Sequence, residues 1–187
     1  ADYVSKQLGK LKPQYAIVLG SGLADLGDHI ESPVFINYED IPEFPQSTVS
    51  GHSGRLIGGL LGGVPVICMQ GRFHYYEGHS FDKIAIPVRT FKNLGCKALV
   101  LTNAAGSLNP NMTPGSLMLI EDHINFSGTN PLIGPNDESI GPRFVDMTQT
   151  YDAELNESLK NCAQSMGLSL FQGNYIWVPG PTFETPA

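Results

Sequence analysis

Val64-Pro65-Val66-Ile67-Cys68-Met69 is an uninterrupted apolar run, and after Gln70 it passes into Gly71-Arg72-Phe73-His74-Tyr75-Tyr76-Glu77-Gly78-His79. A short apolar run bounded by glycine signals a strand buried on both faces. Here the strand ends in a cation, an imidazole, phenols and a carboxylate, at the kind of place where open α/β sheets collect ligands. The planar donor fork of Arg72 suits a phosphate or carboxylate, and His74 can donate beside it. Tyr76 and Glu77 can grip hydroxyls or hold the histidine. The same residues also fit a solvated loop with one surface ion pair, because exposed pairs of that kind are common and weak. The other strand ends of the chain bear on which reading holds.

Upstream of this run, Leu60-Leu61-Gly62-Gly63-Val64-Pro65 predicts a hairpin with a Gly-Gly turn, which makes the sheet mixed rather than purely parallel. Further strands are expected at Tyr15 to Leu19, Arg55 to Leu61, Ala98 to Thr102, Ser116 to Ile120 and Asn174 to Val178. Val88, Phe91 and Leu94 recur at helical spacing before Gly95, with Pro87 near the helix start or marking a kink. A second helix is expected from Asp152 to Met166, with Leu155, Leu159, Cys162 and Met166 on one face and Gly167 as its cap. Residues 127–146 are rich in Gly, Pro and Asn without periodicity, which predicts an ordered loop or a contact surface. Strands alternating with glycine turns and amphipathic helices define the fold class as α/β, with a mixed central β-sheet flanked by helices.

A chain of 187 residues with 41% hydrophobic content can bury a sizeable core and fits a single domain, 1–187. A net charge of −7 argues against a nucleic-acid surface, which needs dense Lys and Arg, while a local pocket for a small anion remains compatible with it. Cys68, Cys96 and Cys162 are odd in number and sit among apolar or helical neighbours, so reduced, buried thiols and a cytoplasmic location are expected. Residues 1–12 carry no apolar leader core, and no apolar run approaches the length of a membrane span, so a soluble protein is expected.

Three further segments stand beside the first. Gly20-Ser21-Gly22 follows the first strand and offers backbone N–H groups and a hydroxyl as a nest for an oxyanion. Asp25 occupies the place of the third glycine of a dinucleotide fingerprint, which argues against a nicotinamide cofactor. Asn103-Ala104-Ala105-Gly106-Ser107 follows a buried strand, and its small side chains allow a ligand close to the main chain; a tight strand-to-loop turn is the plainer reading. Pro179-Gly180-Pro181-Thr182-Phe183-Glu184-Thr185 follows the last strand, where a planar ligand with an acidic N–H could stack on Phe183 and donate to Glu184. Gly51-His52-Ser53-Gly54-Arg55 lacks the spacing of a nucleophile elbow. His74 and His79 have no metal-ligand spacing, so no metal is expected. His29 reads as a surface residue and His123 as a structural or strand-end histidine.

Anion donors at Ser21, Arg72, His74 and the Ala104 amide, with a base-sized shelf at Phe183 and Glu184, amount to a phosphate site next to a heterocycle site. In that combination the chain resembles the trimeric, 6-oxopurine-type purine nucleoside phosphorylases. The resemblance runs from about Ala16 to the last residue. It is carried by Leu19-Gly20-Ser21-Gly22-Leu23, Gly51-His52-Ser53-Gly54-Arg55-Leu56, Gly71 to Gly78, Thr102-Asn103-Ala104-Ala105-Gly106-Ser107-Leu108-Asn109-Pro110, Asp122-His123-Ile124-Asn125 and Gly180 to Thr185, in that order.

The resemblance implies a nucleoside phosphorylase-like fold and phosphorolysis of purine (deoxy)ribonucleosides by inorganic phosphate in purine salvage, with no cofactor. It implies that Ser21, Arg72, His74 and the Ala104 backbone bind phosphate, supported by His52 and Glu77. Tyr76 would contact the ribose, Phe183 would stack on the purine, and Glu184 would accept the N1 proton of a 6-oxopurine. His74, Glu77 and Glu184 would form the catalytic set, and Phe144 would reach the ribose of a neighbouring subunit in a homotrimer. Members of the family continue past Phe-Glu-Thr into a segment with further ligand contacts that is absent from this sequence, so the C-terminal part of the domain is expected to be missing. Two other readings stay open: a methylthioadenosine phosphorylase, which takes a 6-amino purine, and a truncated relative that binds phosphate or purine without turnover. A carboxylate at Glu184 favours the 6-oxopurine type, since it welcomes an N–H and repels a bare ring nitrogen.

Overall fold

The computed structural model describes residues 1–45 and 54–186. They fall into two compact units, Ala1–Ala105 and Gly106–Ala187. In the first unit the order is α1 (Asp2–Leu8), β1 (Tyr15–Leu19), β2 (Glu31–Asn37), β3 (Arg55–Leu61), β4 (Val64–Gln70), α2 (Phe81–Asn93) and β5 (Ala98–Leu101). Short 3-10 turns at Ala24–His29, Tyr38–Asp40 and Tyr75–Glu77 connect them.

The five strands form one sheet in the order β2-β3-β4-β1-β5. β2 and β4 run antiparallel to β3, while β4, β1 and β5 are mutually parallel. The Gly62-Gly63 turn is as expected, with φ of 56° and 78° joining Leu61 to Val64. Two consecutive left-handed residues match the twist of the strands they join, and glycine adopts that backbone without strain.

Alternation along β1 and β4 explains why both strands are almost wholly apolar. Ala16, Val18, Ile67 and Met69 pack on one face with Val4 and Leu8 of α1 and Phe91 of α2; Ile17, Leu19, Val66 and Cys68 pack on the other with Ile30. Each face is covered, so every position must be apolar. Tyr38, Phe44 and Phe73 form an aromatic knot in the first cluster, with ring centroids 5.0 to 5.8 Å apart.

Four features depart from the sequence-based expectations. β2 contains Pro33, Ser32 at φ 50° and a register shift between Glu31 and Val34, features that edge strands tolerate and that hide a strand from pattern reading. α1 was not anticipated; its Val4 and Leu8 are buried. α2 starts at Phe81 and runs straight through the buried Pro87, because packing of Phe91 in the core outweighs the missing N–H. Of the three cysteines only Cys68 is buried; Cys96 is half-buried and Cys162 is exposed.

In the second unit β6 (Leu117–Asn125) and β7 (Leu170–Trp177) pair in parallel, joined by a long loop and α3 (Ala153–Ser165). The Asp152 carboxylate accepts from the Leu155 N–H at 2.8 Å and caps α3. The apolar side of α3 does not become core. Leu155, Leu159 and Met166 are exposed, since a two-stranded ribbon offers little surface to cover a helix. Lys160 on α3 reaches Glu121 of β6 at 3.4 Å and Glu157 at 2.8 Å. The loop over residues 127–146 is held by its own polar groups: Arg143 donates to the carbonyls of Leu132 and Gly134, and Asp137 accepts from the Ser139 hydroxyl. No helix among the described residues is long and apolar enough to cross a membrane.

Candidate active site

The three adjacent parallel strands β4, β1 and β5 all end at one edge of the first sheet. Gly20-Ser21-Gly22 follows β1, Gly71-Arg72 follows β4, and Thr102-Asn103-Ala104 follows β5, so the topology delivers Ser21, Arg72 and the Ala104 main chain to the same rim.

The loop after β1 is a tight turn, closed by donation from the Leu23 N–H to the Gly20 carbonyl at 3.1 Å, with Gly22 at φ 79°. The expectation that this loop leaves its N–H groups free is corrected at Gly20, whose N–H donates to Thr102 Oγ1 at 2.7 Å. Ser21 keeps its hydroxyl and N–H, and Gly22 its N–H, without a hydrogen-bond partner among the described residues.

After β4, two contacts fix the backbone on either side of Arg72. The Tyr38 hydroxyl donates to the Gly71 carbonyl at 2.6 Å, and Phe73 is buried in the aromatic knot. Burial raises the Tyr38 phenol far above its ordinary value, keeping it a neutral donor. Arg72 lies between these anchors, half-buried, with no ion pair or hydrogen bond of its own among the described residues.

His74 and Glu77 are one device. The Glu77 carboxylate, its side chain 2% exposed, lies 2.8 Å from His74 Nδ1 and accepts from the His74 backbone N–H at 2.7 Å, closing a capping box over the Tyr75–Glu77 turn. When Nδ1 donates to this carboxylate, Nε2 is left as the functional nitrogen; a second proton there makes His74 a donor whose charge Glu77 offsets. Tyr76 stacks on the His74 ring at 4.7 Å and is half exposed. His52 lies outside the described residues.

The other expected site residues belong to the second unit. Phe144 is 89% and Phe183 93% exposed, and Glu184 is also exposed. His123 on β6 faces the Tyr151 hydroxyl at 3.1 Å, in keeping with a structural histidine, and His29 is exposed beside the Asp25 carbonyl. No cluster of three or more His, Cys, Asp or Glu among the described residues is arranged to hold a metal.

Three supporting residues escape pattern reading. Thr102 bonds the Gly20 N–H and donates to the Val18 carbonyl at 2.8 Å. Gln70 donates to the Ala24 carbonyl at 2.9 Å and accepts from Arg55 Nε at 2.6 Å. Tyr38 pins Gly71. A polar residue closing an apolar strand was the available signal for Thr102 and Gln70; nothing local marks Tyr38.

Residues 14–187 match the model of the phosphorylase superfamily. Over 187 residues the chain is 54% identical to purine nucleoside phosphorylase 1 of Bacillus subtilis (strain 168), covering all of this chain and 69% of that protein. It is 50% identical over 181 residues to the purine nucleoside phosphorylase of Mus musculus, covering 94% of this chain and 63% of the relative. Among solved structures, Schistosoma mansoni purine nucleoside phosphorylase in complex with inosine superposes with a TM-score of 0.92 at 42% identity, covering 99% of this chain and 66% of that one. The chain therefore belongs to the purine nucleoside phosphorylase family of the phosphorylase superfamily. It spans about two-thirds of the length of these relatives.

Proposed function

We propose that the protein catalyses phosphorolysis of purine nucleosides of the 6-oxopurine class, inosine, guanosine or xanthosine and their deoxy forms, to the free base and (deoxy)ribose 1-phosphate. The observation that supports this reading is topological: the segments that hold Ser21, Arg72 with the His74–Glu77 pair, and Ala104 follow three neighbouring parallel strands at one end of the sheet. That rim offers hydroxyl, N–H and cationic donors to a tetrahedral oxyanion. In the reaction an oxygen of phosphate forms the bond to C1′ while the C1′–N9 bond breaks, and the departing purine keeps the electron pair and takes up a proton. Phosphate is a weak nucleophile toward C1′, so fixing it against the sugar does much of the work, about 7–11 kcal/mol for well-oriented reactants.

Tyr76 serves the ribose in this reading, Phe183 stacks on the base, and Glu184 accepts from N1–H. Phosphate is a co-substrate and no cofactor takes part. His52 completes the phosphate site. The two units act as parts of one phosphorylase domain, supported by a family match that runs unbroken from 14 to 187. The protein works in the cytoplasm as a homotrimer, with Phe144 reaching a neighbouring subunit's ribose.

The test uses the intact polypeptide with inosine, adenosine and methylthioadenosine at varied phosphate. Phosphate-dependent release of hypoxanthine is expected, with the 6-amino nucleosides at least about tenfold slower, because a charged acceptor facing a bare N1 loses its partner. Arg72→Ala should raise the apparent phosphate KM roughly 30- to 100-fold through the lost charge-assisted bonds. Preference for methylthioadenosine would establish the rival enzyme, and calorimetric binding of phosphate without turnover the non-catalytic relative.

A further inference from the structure

We infer that Thr102 is a positioning residue for phosphate, acting through the loop that carries Ser21. The inference rests on the phosphorolysis reading above and extends it to a residue that need not touch the ligand. Thr102 stands one position beyond β5, and its N–H extends the ladder by donating to the Val18 carbonyl at 3.1 Å. Its hydroxyl proton goes to the same carbonyl at 2.8 Å. With that proton spent, the hydroxyl oxygen can only accept toward Gly20, and it takes the buried Gly20 N–H at 2.7 Å.

Contact between the two main chains reinforces this bond. A Cβ on Gly20 would lie 2.5 Å from the Thr102 carbonyl oxygen and 2.8 Å from the Asn103 Cα, so the loop after β1 lies directly against the segment leading to Ala104. Gly20 is also the first residue of the turn closed by Leu23, so the Ser21 hydroxyl and the N–H groups of Ser21 and Gly22 take their place from the end that Thr102 holds. One hydroxyl thereby sets the loop after β1 against the loop after β5, the two segments that hold Ser21 and Ala104 of the proposed phosphate site.

Three variants of the intact enzyme test this: Thr102→Val, which keeps the shape and removes the acceptor, Thr102→Ala, which removes it without branching, and Thr102→Ser, which retains it. Thr102→Val and Thr102→Ala should raise the phosphate KM about tenfold, the usual scale for losing a bond to a buried N–H, and leave the nucleoside KM within about twofold. Thr102→Ser should stay within about threefold of wild type in both. Amide exchange at Gly20, which needs no turnover, should quicken in the Val and Ala variants and not in Ser. Unchanged phosphate KM in the folded Val or Ala variant overturns the inference, as does an equal loss in Ser or unchanged exchange at Gly20. If wild-type protein shows no phosphate-dependent cleavage of inosine, the functional reading fails by itself, and the exchange result still decides whether Thr102 anchors the loop.

Discussion

Glu77 shows how much a single residue does at this rim. Its carboxylate closes the turn through the His74 backbone N–H and orients the His74 ring through Nδ1, so one side chain folds the segment and sets which imidazole nitrogen faces outward. Cys68 shows the opposite case, a reactive side chain used only for packing. It is fully buried in the second core cluster, and burial pushes its thiol up to about 11 from an ordinary 9.0. The raised value means that the folded state keeps the thiol neutral where the unfolded chain would lose its proton. The resulting contribution is fully present below about pH 9 and disappears as pH rises through 11, a loss of roughly 2–3 kcal/mol. Thermal unfolding of wild type should therefore fall more steeply between pH 8 and 11 than that of Cys68→Val. Tyr38, raised by burial in the same direction, adds an alkaline loss common to both proteins. Parallel declines in the two proteins would show that Cys68 carries none of it.

At the scale of elements, β4 is the organising strand. It pairs with β3 through the Gly62-Gly63 hairpin and with β1 in parallel, and it ends at Gln70 opposite Leu19. Gln70 is buried, and its amide joins Arg55 of β3 to the Ala24 carbonyl in the 3-10 turn after the Ser21 loop. Replacing Gln70 by leucine keeps the volume and removes both bonds, leaving the Arg55 Nε and the Ala24 carbonyl short of a partner. A loss of about 1 kcal/mol is expected, the net scale of hydrogen bonds whose other partners, half-buried Arg55 and exposed Ala24, keep access to water. The measurement is the denaturation midpoint of Gln70→Leu against wild type. A change below a few tenths of a kcal/mol would mean that water replaces the amide at no cost.

For the whole molecule, the consequential feature is the amount of apolar surface outside the core. Phe144, Phe126, Leu132 and Ile133 are exposed on or near the long loop of the second unit, which Arg143 and the Asn and Asp turns hold in shape. Under the trimeric arrangement proposed above, that loop serves a neighbouring active site. Phe144→Ala should then raise the nucleoside KM about tenfold or more and leave the phosphate KM nearly unchanged, since the aromatic meets sugar and not anion. Light scattering on the intact protein should give a mass of three chains. A fully active monomer would remove Phe144 from the site.

Reading the sequence alone was sufficient for β1, β3, the hairpin, the mixed sheet and the rim segments, because strands buried on both faces must be apolar throughout and their ends must turn on glycine. It also indicated Ser21, Arg72, His74 and Glu77, whose chemistry is crowded into short stretches after those strands. Edge strand β2 was illegible, since Pro33 and a register shift erase its pattern, and so was the start of α2, where core packing carries a helix through Pro87. Only the tertiary structure decided which backbone donors and acceptors are already spent. The Gly20 N–H is spent on a threonine 82 residues away and the Gly71 carbonyl on a tyrosine 33 residues back, pairings made by strand order and invisible to any local pattern.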